Sequence, residues 1–190
     1  MKKGLAVLLS GILVFSAGCT KQNKPETANQ TKGDTQAANT GNTVVAKDGY
    51  GEGEIHDTMR TYFFDYTINS AYQTDSYEGI EPGEGKALLV VNMTVKNTGQ
   101  SELEIYDTDF QAQWGDGDDD FTYPITTNGQ EAAGAMAEGE YTLQASEKKT
   151  SDLVFEVPQG KEEFAVAYRE QFADDTDGDT FFTYFKAAKK

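Results

Sequence analysis

The sequence has one cysteine, one histidine and one tryptophan among 190 residues. A single cysteine excludes an intramolecular disulfide, and one histidine with one cysteine cannot supply the ligands of a zinc site. Nucleophilic catalysis needs a base beside a serine, threonine or cysteine, and no Gly-x-Ser-x-Gly motif is present. Glycoside cleavage by two carboxylates stays open, because acidic residues are abundant and none stands out. We expect a protein that is not an enzyme.

Basic residues are also scarce. Lysine and arginine number 16 against 32 aspartates and glutamates, which gives a net charge of −16. The acidic excess lies entirely after residue 48, where 29 acidic and 10 basic residues give a charge of −19. Such a charge repels nucleic acids and anionic lipid headgroups and attracts cations, so nucleic acid is excluded as a partner. The simpler interpretation is a solvated surface that keeps the protein soluble.

Long hydrophobic runs are missing after Phe15. The apolar run that ends there, residues 5–15, is too short to span a bilayer stably. It follows Lys2 and Lys3 and leads into small residues before Cys19, which is the order of a secretory signal peptide.

The small residues 16–18 directly before Cys19 resemble the lipobox of bacterial lipoproteins. In those proteins the cysteine thiol receives a diacylglyceryl group and cleavage then makes this cysteine the first residue. We therefore predict a signal peptide over residues 1–18, lipidation of Cys19, and a protein anchored at the extracellular face of the cell membrane. More than one acyl chain makes such an attachment durable. The alternative is a secreted protein whose cysteine lies near the cleavage site by chance.

The segment after the predicted cleavage site has almost no large apolar residues. Residues 19–47 are mostly Thr, Asn, Gln, Lys, Ala and Gly, and they contain no aromatic side chain. A segment of this composition cannot bury enough surface to offset its ordering entropy. We predict a disordered polar tether over residues 19–47 and one acidic domain over residues 48–190.

Alternation of apolar and polar residues dominates the predicted domain. The strongest run is Lys86–Asn97, in which four residues share one face: Leu89, Val91, Met93 and Val95. Shorter runs of the same period surround Phe64, Phe110, Phe155 and Phe164, with Gly- and Asp-rich turns between them. This pattern predicts an all-β fold, an antiparallel β-sandwich or barrel of about seven to eight strands.

The same strands carry a family resemblance. Residues 85–105, which include LLVVNMTVKNTGQSELEI, and the later segment Leu153–Pro158 resemble domain-of-unknown-function family 4352. Its members are mainly lipoproteins of Gram-positive bacteria with an immunoglobulin-like β-sandwich. The resemblance covers about residues 53–186. It implies an immunoglobulin-like fold, and it implies no catalytic residue and no defined ligand.

Two clusters of aspartates are candidate calcium sites. Calcium prefers several oxygen ligands at about 2.3–2.6 Å, and carboxylates at alternate positions around a glycine can surround one ion. Alternatively, both clusters are acidic hairpin tips, where Asp-Gly favours the turn itself. No cofactor is expected, with calcium as the one exception. Its candidate ligands are Asp175, Asp177, Asp179, Asp116, Asp118 and Asp120.

Every aromatic residue except Phe15 lies in the predicted domain. Aromatic rings on a rigid sheet can stack against sugars or anchor a protein partner. Phe63, Phe181 and Phe185 are out of phase with the residues assigned to the core in their strands, so we predict that they contact a partner. Alternatively, both faces of these strands are covered and the three rings pack internally.

Together these patterns favour a non-catalytic binding or interaction module at the cell envelope, attached to the membrane through the lipid on Cys19. Its partner would be an envelope protein, a wall glycan or a small cationic ligand. The alternative is a structural or accessory envelope subunit whose acidic loops are stabilised by divalent cations.

Overall fold

The computed structural model describes residues 41–126 and 134–190. This part of the chain contains twelve β-strands, and the one helical element in it is a 3₁₀ turn at Asp107–Asp109. The strands are β1 (Thr43–Val45), β2 (Tyr50–Glu54), β3 (Thr58–Arg60), β4 (Phe64–Thr74), β5 (Lys86–Asn97), β6 (Leu103–Tyr106), β7 (Phe110–Gln113), β8 (Phe121–Thr122), β9 (Glu140–Leu143), β10 (Lys148–Pro158), β11 (Glu163–Gln171) and β12 (Asp177–Lys186). The predicted all-β class is confirmed.

Ten of these strands form two five-stranded sheets, and β6 and β9 form a separate ribbon. The first sheet has the order β1–β3–β4–β5–β10 and the second the order β2–β12–β11–β7–β8. One hydrophobic core joins Tyr66, Met93 and Phe155 of the first sheet to Phe110 and Phe181 of the second. The predicted β-sandwich is therefore confirmed. It has more strands than expected because strands as short as β3 and β8 are too brief to show a period.

Each of two outer strands runs parallel to its neighbour in the sheet, although a fully antiparallel arrangement was expected. β1 runs parallel to β3 and β2 runs parallel to β12. Between β1 and β2 the chain makes a tight turn at Lys47–Tyr50, where two backbone hydrogen bonds measure 2.8 and 3.1 Å. Asp48 and Gly49 at the centre have φ values of 54° and 90°, as in the type I′ turn that Asp-Gly favours. Side-chain alternation reports which face a residue occupies and carries no information on strand direction.

The strand β5 has the bounds that its alternation predicts. The four predicted core residues, at alternate positions from Leu89 to Val95, are at most 1% exposed. Leu88 and Val90 on the other face are also buried, in a second and smaller hydrophobic cluster. Both faces of β5 are therefore covered over its first half, which makes this strand the centre of the fold.

The folded part begins earlier than residue 48. β1 lies inside the predicted tether of residues 19–47, and its Val44 packs against the core. The N–H of Thr58 also donates a hydrogen bond of 2.8 Å to the carbonyl of Asn42. Polar composition hid this strand, since it has only three residues. The predicted signal peptide, Cys19 and most of the tether lie outside the described residues.

Within the two described ranges, none of the secondary structure is a helix of the length and hydropathy needed to cross a membrane.

Candidate functional site

Three aromatic side chains meet where two connections of the sandwich come together. Tyr62 and Phe63 belong to the β3–β4 connection, and Phe172 belongs to the β11–β12 connection. Their ring centroids lie 5.1–5.4 Å from one another. Tyr62 is 73% exposed, and the other two rings are half-buried. We call Tyr62, Phe63 and Phe172 the rim cluster.

A buried carboxylate fixes the two connections that carry the rim cluster. Oε1 of Glu170 accepts a hydrogen bond of 2.6 Å from the N–H of Tyr62, and its Oε2 accepts one of 3.1 Å from the N–H of Asp179. Glu170 is only 4% exposed. Hydrogen bonds to an ionised acceptor are shorter and stronger than neutral ones. Glu170 thus ties the β3–β4 turn to the start of β12 and sets the spacing of the rings.

The β3–β4 turn is further held by its own side chain. The Thr61 hydroxyl donates to the carbonyl of Phe64 at 2.7 Å and accepts from the N–H groups of Phe64 and Phe63 at 3.0 and 3.2 Å. Thr61 is buried. A short polar side chain that bonds its neighbouring backbone stabilises a tight turn. Tyr62 and Phe63 are therefore presented on a defined backbone.

Two adjoining depressions of about 390 and 830 Å³ lie beside the rim cluster. One extends toward Asp109 and Tyr123, and the other extends toward Phe172 and Asp175. We call the combined depression the rim groove. Both depressions are lined by Phe63, Leu103, Glu104, Tyr106 and Gln171.

Carboxylates dominate the charge of the rim groove. Arg169 is the one basic residue among the described residues that line it, and its Nη1 lies 3.3 Å from Oδ2 of Asp177. The acidic lining residues are Glu102, Glu104, Asp109 and Asp175. Since the one arginine already has an acidic partner, the groove presents a negative potential to any ligand.

The two aspartates of the 3₁₀ turn beside this groove differ in their exposure: Asp107 is buried, and Asp109 is exposed. Asp107 is 3% exposed, and its burial, together with the charge of Asp109, raises the pKa of Asp107 to about 6. Neighbouring atoms that partly desolvate Asp109 also raise its pKa, although the N–H of Tyr106 donates to its Oδ2 at 3.1 Å. A carboxylate that has lost part of its hydration gains more from a neighbouring cation than an exposed one does.

Comparison with protein families covers most of the folded part. Residues 53–178 match a family described as "Domain of unknown function (DUF4352)". The chain belongs to the DUF4352 family. This confirms the resemblance carried by the strand patterns, and the family description names no activity. No curated protein matches the sequence.

Several bacterial structures are similar to this DUF4352 chain. A candidate lipoprotein of Bacillus subtilis (ycdA) has a TM-score of 0.54 and 20% identity, over 68% of this chain and 38% of that one. The yjhA protein of Bacillus subtilis has a TM-score of 0.47 and 17% identity, over 71% and 98%. A β-sandwich protein of Clostridium difficile has a TM-score of 0.42 and 15% identity, over 71% and 93%. The chain spans 38% of the first of these proteins, and likeness at this identity concerns the fold alone.

The three predicted partner contacts of the DUF4352 domain have different surroundings. Phe63 lines the rim groove and belongs to the rim cluster, and its contact with a partner stays a prediction. Phe181 was wrongly assigned to the surface, because it is 1% exposed and lies in the core. A Cβ at Gly51 of the neighbouring β2 would come within 2.5 Å of its ring. Pairing of Phe181 with Tyr168 on β11 turns its ring inward, and the run of aromatics in β12 did not show which face was internal.

Phe185 lies in a second groove of about 490 Å³. Its ring is half-buried and stacks on that of Phe164 with the centroids 6.2 Å apart. Tyr184 and Ile55 complete the apolar lining. Phe185 is therefore partly accessible, at a place separate from the rim cluster.

The two aspartate clusters make contacts typical of acidic turns. Asp177 pairs with Arg169, and Oδ2 of Asp120 accepts a hydrogen bond of 3.1 Å from the N–H of Gly117. Asp175 has a φ of 64°, at the tip of the β11–β12 connection. Over residues 41–126 and 134–190, no three Asp, Glu, His or Cys side chains are arranged to hold a metal ion. Calcium binding stays a prediction for the six aspartates: Asp175, Asp177, Asp179, Asp116, Asp118 and Asp120.

Sequence reasoning missed two members of the rim cluster. Tyr62 is in phase with Phe64 and Tyr66 in the sequence, but β4 begins only at Phe64, so Tyr62 belongs to the preceding turn. Phe172 stands alone beside an acidic turn and has no alternating neighbours. The run of three aromatics at 62–64 was the available signal, because consecutive residues of a strand cannot all face one core.

Proposed function

We propose that this DUF4352 protein is a non-catalytic binding module, held at the extracellular face of the cell membrane by a lipid on Cys19. The module binds a partner of the cell envelope in the rim groove. The lipid supplies attachment, and the groove supplies recognition.

One observation carries the proposal: Tyr62, Phe63 and Phe172 form an aromatic cluster on a fixed backbone at the edge of a groove, with Tyr62 exposed and the other two rings half-buried. Exposed aromatic rings lose apolar hydration when a partner covers them, and they lose little side-chain entropy because they have few rotatable bonds. The hydrogen bonds of Glu170 and Thr61 order these rings before any partner arrives. Such preorganisation reduces the entropy lost on binding.

The chemistry of the lining favours binding over bond cleavage. The described side chains of the groove are aromatic, aliphatic, amide and carboxylate groups, the hydroxyls of Thr108 and Thr142, and the paired Arg169. Neither threonine hydroxyl is hydrogen-bonded to a base among the described residues. Aromatic and carboxylate groups recognise shape and charge, whereas nucleophilic catalysis needs a hydroxyl or thiol held beside a base. We therefore propose no reaction at this site.

The anchor is supported by the sequence before the domain. A signal peptide that ends in small residues directly before Cys19 has the organisation of a lipoprotein precursor. The Bacillus subtilis neighbour that is described as a candidate lipoprotein agrees with this assignment.

Cross-linking on intact cells tests the proposal. The full-length protein is produced in its native host and treated with a short amine- and carboxylate-reactive cross-linker, and the products are identified by mass spectrometry. The test variant is Tyr62→Ser combined with Phe172→Ser. The matched control is Tyr184→Ser, which removes a tyrosine that is 45% exposed and lies outside the rim groove.

We expect the wild type and Tyr184→Ser to capture the same envelope partner, and the double variant to lose it while its melting temperature stays within a few degrees. Capture that persists in the double variant contradicts binding at the rim groove. A mature N-terminus without acyl chains on Cys19, measured on the same samples, contradicts the anchor.

A further inference from the structure

Over residues 41–126 and 134–190, the strand β6 has one unpaired edge. It pairs with β9 alone among the described strands. The N–H of Asp107 donates to the carbonyl of Gly139 at 3.0 Å, so these two residues form a hydrogen-bonded pair. In an antiparallel ribbon, hydrogen-bonded and non-hydrogen-bonded pairs alternate along the strands. The backbone N–H and C=O of Glu104 must then point away from β9, because Glu104 lies opposite Thr142 in a non-hydrogen-bonded pair.

The neighbouring backbone donor on that edge is already satisfied. The N–H of Tyr106 donates to Oδ2 of Asp109. Glu104 is therefore the position of β6 at which both backbone groups are open to an added strand. Unpaired strand edges are templates for pairing with another extended chain.

The rim groove follows this edge. Its lining includes residues from both faces of β6, namely Leu103, Glu104 and Tyr106. Its lining also includes Phe63 and Phe172 of the rim cluster. A strand edge beside a depression that can receive side chains is the arrangement to which an extended peptide adds in strand-addition complexes.

The charge of the groove selects the side chains of such a peptide. Glu104 is exposed, and the hydroxyl of Tyr106 lies 3.5 Å from its Oε2. Two lysines of this protein already use the same chemistry, since Nζ of Lys149 lies 4.4 Å from the ring centre of Tyr141 and Nζ of Lys190 lies 3.7 Å from that of Tyr72. A cation beside carboxylates and over an aromatic face gains from both contacts.

We infer that the rim groove binds an extended segment of a partner protein that carries lysine or arginine, and that this segment adds to the free edge of β6 as a further strand. Backbone pairing at Glu104 provides affinity, and the carboxylates and rings select basic side chains at alternate positions. This inference names the partner chemistry of the proposed function and rests on it.

Titration calorimetry with defined peptides tests the inference. The full-length protein is used in non-ionic detergent. The probe is an eight-residue peptide of alternating threonine and lysine with blocked ends. Three controls accompany it: the same peptide with glutamate for lysine, the same peptide N-methylated at every residue, and spermine. N-methylation keeps the charges and removes every backbone donor.

We expect the lysine peptide to bind at least tenfold more tightly than each of the three controls. Glu104→Lys should weaken its binding about tenfold or more by repelling the probe, whereas the control variant Glu84→Lys, in an exposed turn away from the groove, should weaken it less than threefold. Hydrogen exchange should slow at the amide of Glu104 when the peptide is bound.

Binding of spermine or of the methylated peptide within threefold of the probe overturns strand addition, because charge alone would then explain it. Equal affinity for the glutamate peptide overturns the choice of a basic partner. If no peptide binds but capture on cells still depends on Tyr62 and Phe172, the inference fails while the proposed function stands. A captured wall glycan in place of a protein overturns the inference in the same way.

Discussion

Two groups of aromatic rings in this protein have similar geometry and opposite surroundings. In the core, Phe64, Tyr66, Phe110 and Tyr168 pack with centroids 4.8–6.3 Å apart. The rings of the rim cluster are 5.1–5.4 Å apart. Phe63 and Phe64 are consecutive residues, yet Phe64 is 2% exposed and Phe63 borders a groove. Ring spacing therefore does not separate a structural cluster from a binding cluster, and access to solvent does.

The comparison predicts that the two groups differ in their contribution to stability. The largest expected effect is in the core, at Phe110, which is fully buried. Phe110→Ala should lower the free energy of unfolding by about 3–5 kcal/mol, because it removes a large ring and leaves a cavity. Urea unfolding followed by tryptophan fluorescence measures it. A loss below about 1 kcal/mol would contradict the assignment of Phe110 to the core cluster.

Glu170 joins the two regions and should give the next largest effect. Glu170→Ala removes the acceptor of the Tyr62 and Asp179 N–H groups and should cost about 2–3 kcal/mol of unfolding free energy. Glu170→Gln is the matched control, since it keeps one oxygen acceptor and should cost less. We also expect faster hydrogen exchange at the Tyr62 amide in Glu170→Ala. Equal stability of the alanine variant and the wild type would show that the carboxylate does not hold the turn.

Asp107 lies at the boundary between the core and the rim groove, and it should make the stability of the protein depend on pH. Burial raises the pKa of Asp107 from 3.8 to about 6 in the folded protein. Between these values the folded form keeps a proton that the unfolded form has lost, so this group's contribution to stability decreases as pH rises from about 4 to about 6. Asp107→Asn should therefore stabilise the protein at pH 7 by about 1–2 kcal/mol and have little effect at pH 4.

The matched control for Asp107 is Asp116→Asn, which removes the same charge from an exposed loop. Urea midpoints at pH 4, 5, 6 and 7 give the measurement. If both variants gain the same stability at pH 7, the effect comes from the net charge of −16 and not from burial of Asp107.

The smallest expected effect on the free energy of unfolding is in the rim cluster, at Tyr62. Tyr62→Ala should change the free energy of unfolding by no more than about 0.5 kcal/mol, because 73% of the side chain already contacts water. The same thermal or urea measurement applies. A cost comparable to that of Phe110→Ala would mean that the rim cluster is structural, and it would remove the main support for binding there.

Local patterns were sufficient to predict the centre of this fold. β5 alternates without interruption from Lys86 to Asn97, so its bounds and its core face follow from side-chain period alone. The strand pairs with β4 on one side and β10 on the other. Any sheet that buries such a strand on one face needs a second layer or must close on itself, so periodicity predicted a sandwich or a barrel, and the family resemblance favoured the sandwich.

The candidate site could be predicted only in part. Phe63 was identified because it is out of phase with Phe64, which is a local property. Tyr62 and Phe172 are far apart in sequence, and the bond from the Tyr62 N–H to Glu170 spans 108 positions. The error at Phe181 has a related cause, since its register with the core residue Tyr168 of β11, and not the alternation of β12, shows which face is internal. Contacts between distant segments are not encoded in any single periodic stretch.

The pairing of β2 with β12 has a consequence for the order of folding. β2 ends at Glu54 and its neighbour β12 ends at Lys186, so the second sheet cannot be completed until both distant segments are available. Pairing between segments so distant in sequence slows folding and prolongs the lifetime of unpaired edges. The sequence of β2, Tyr-Gly-Glu-Gly-Glu, has low β-propensity and repeated negative charge. A waiting edge of this kind is a poor template for aggregation.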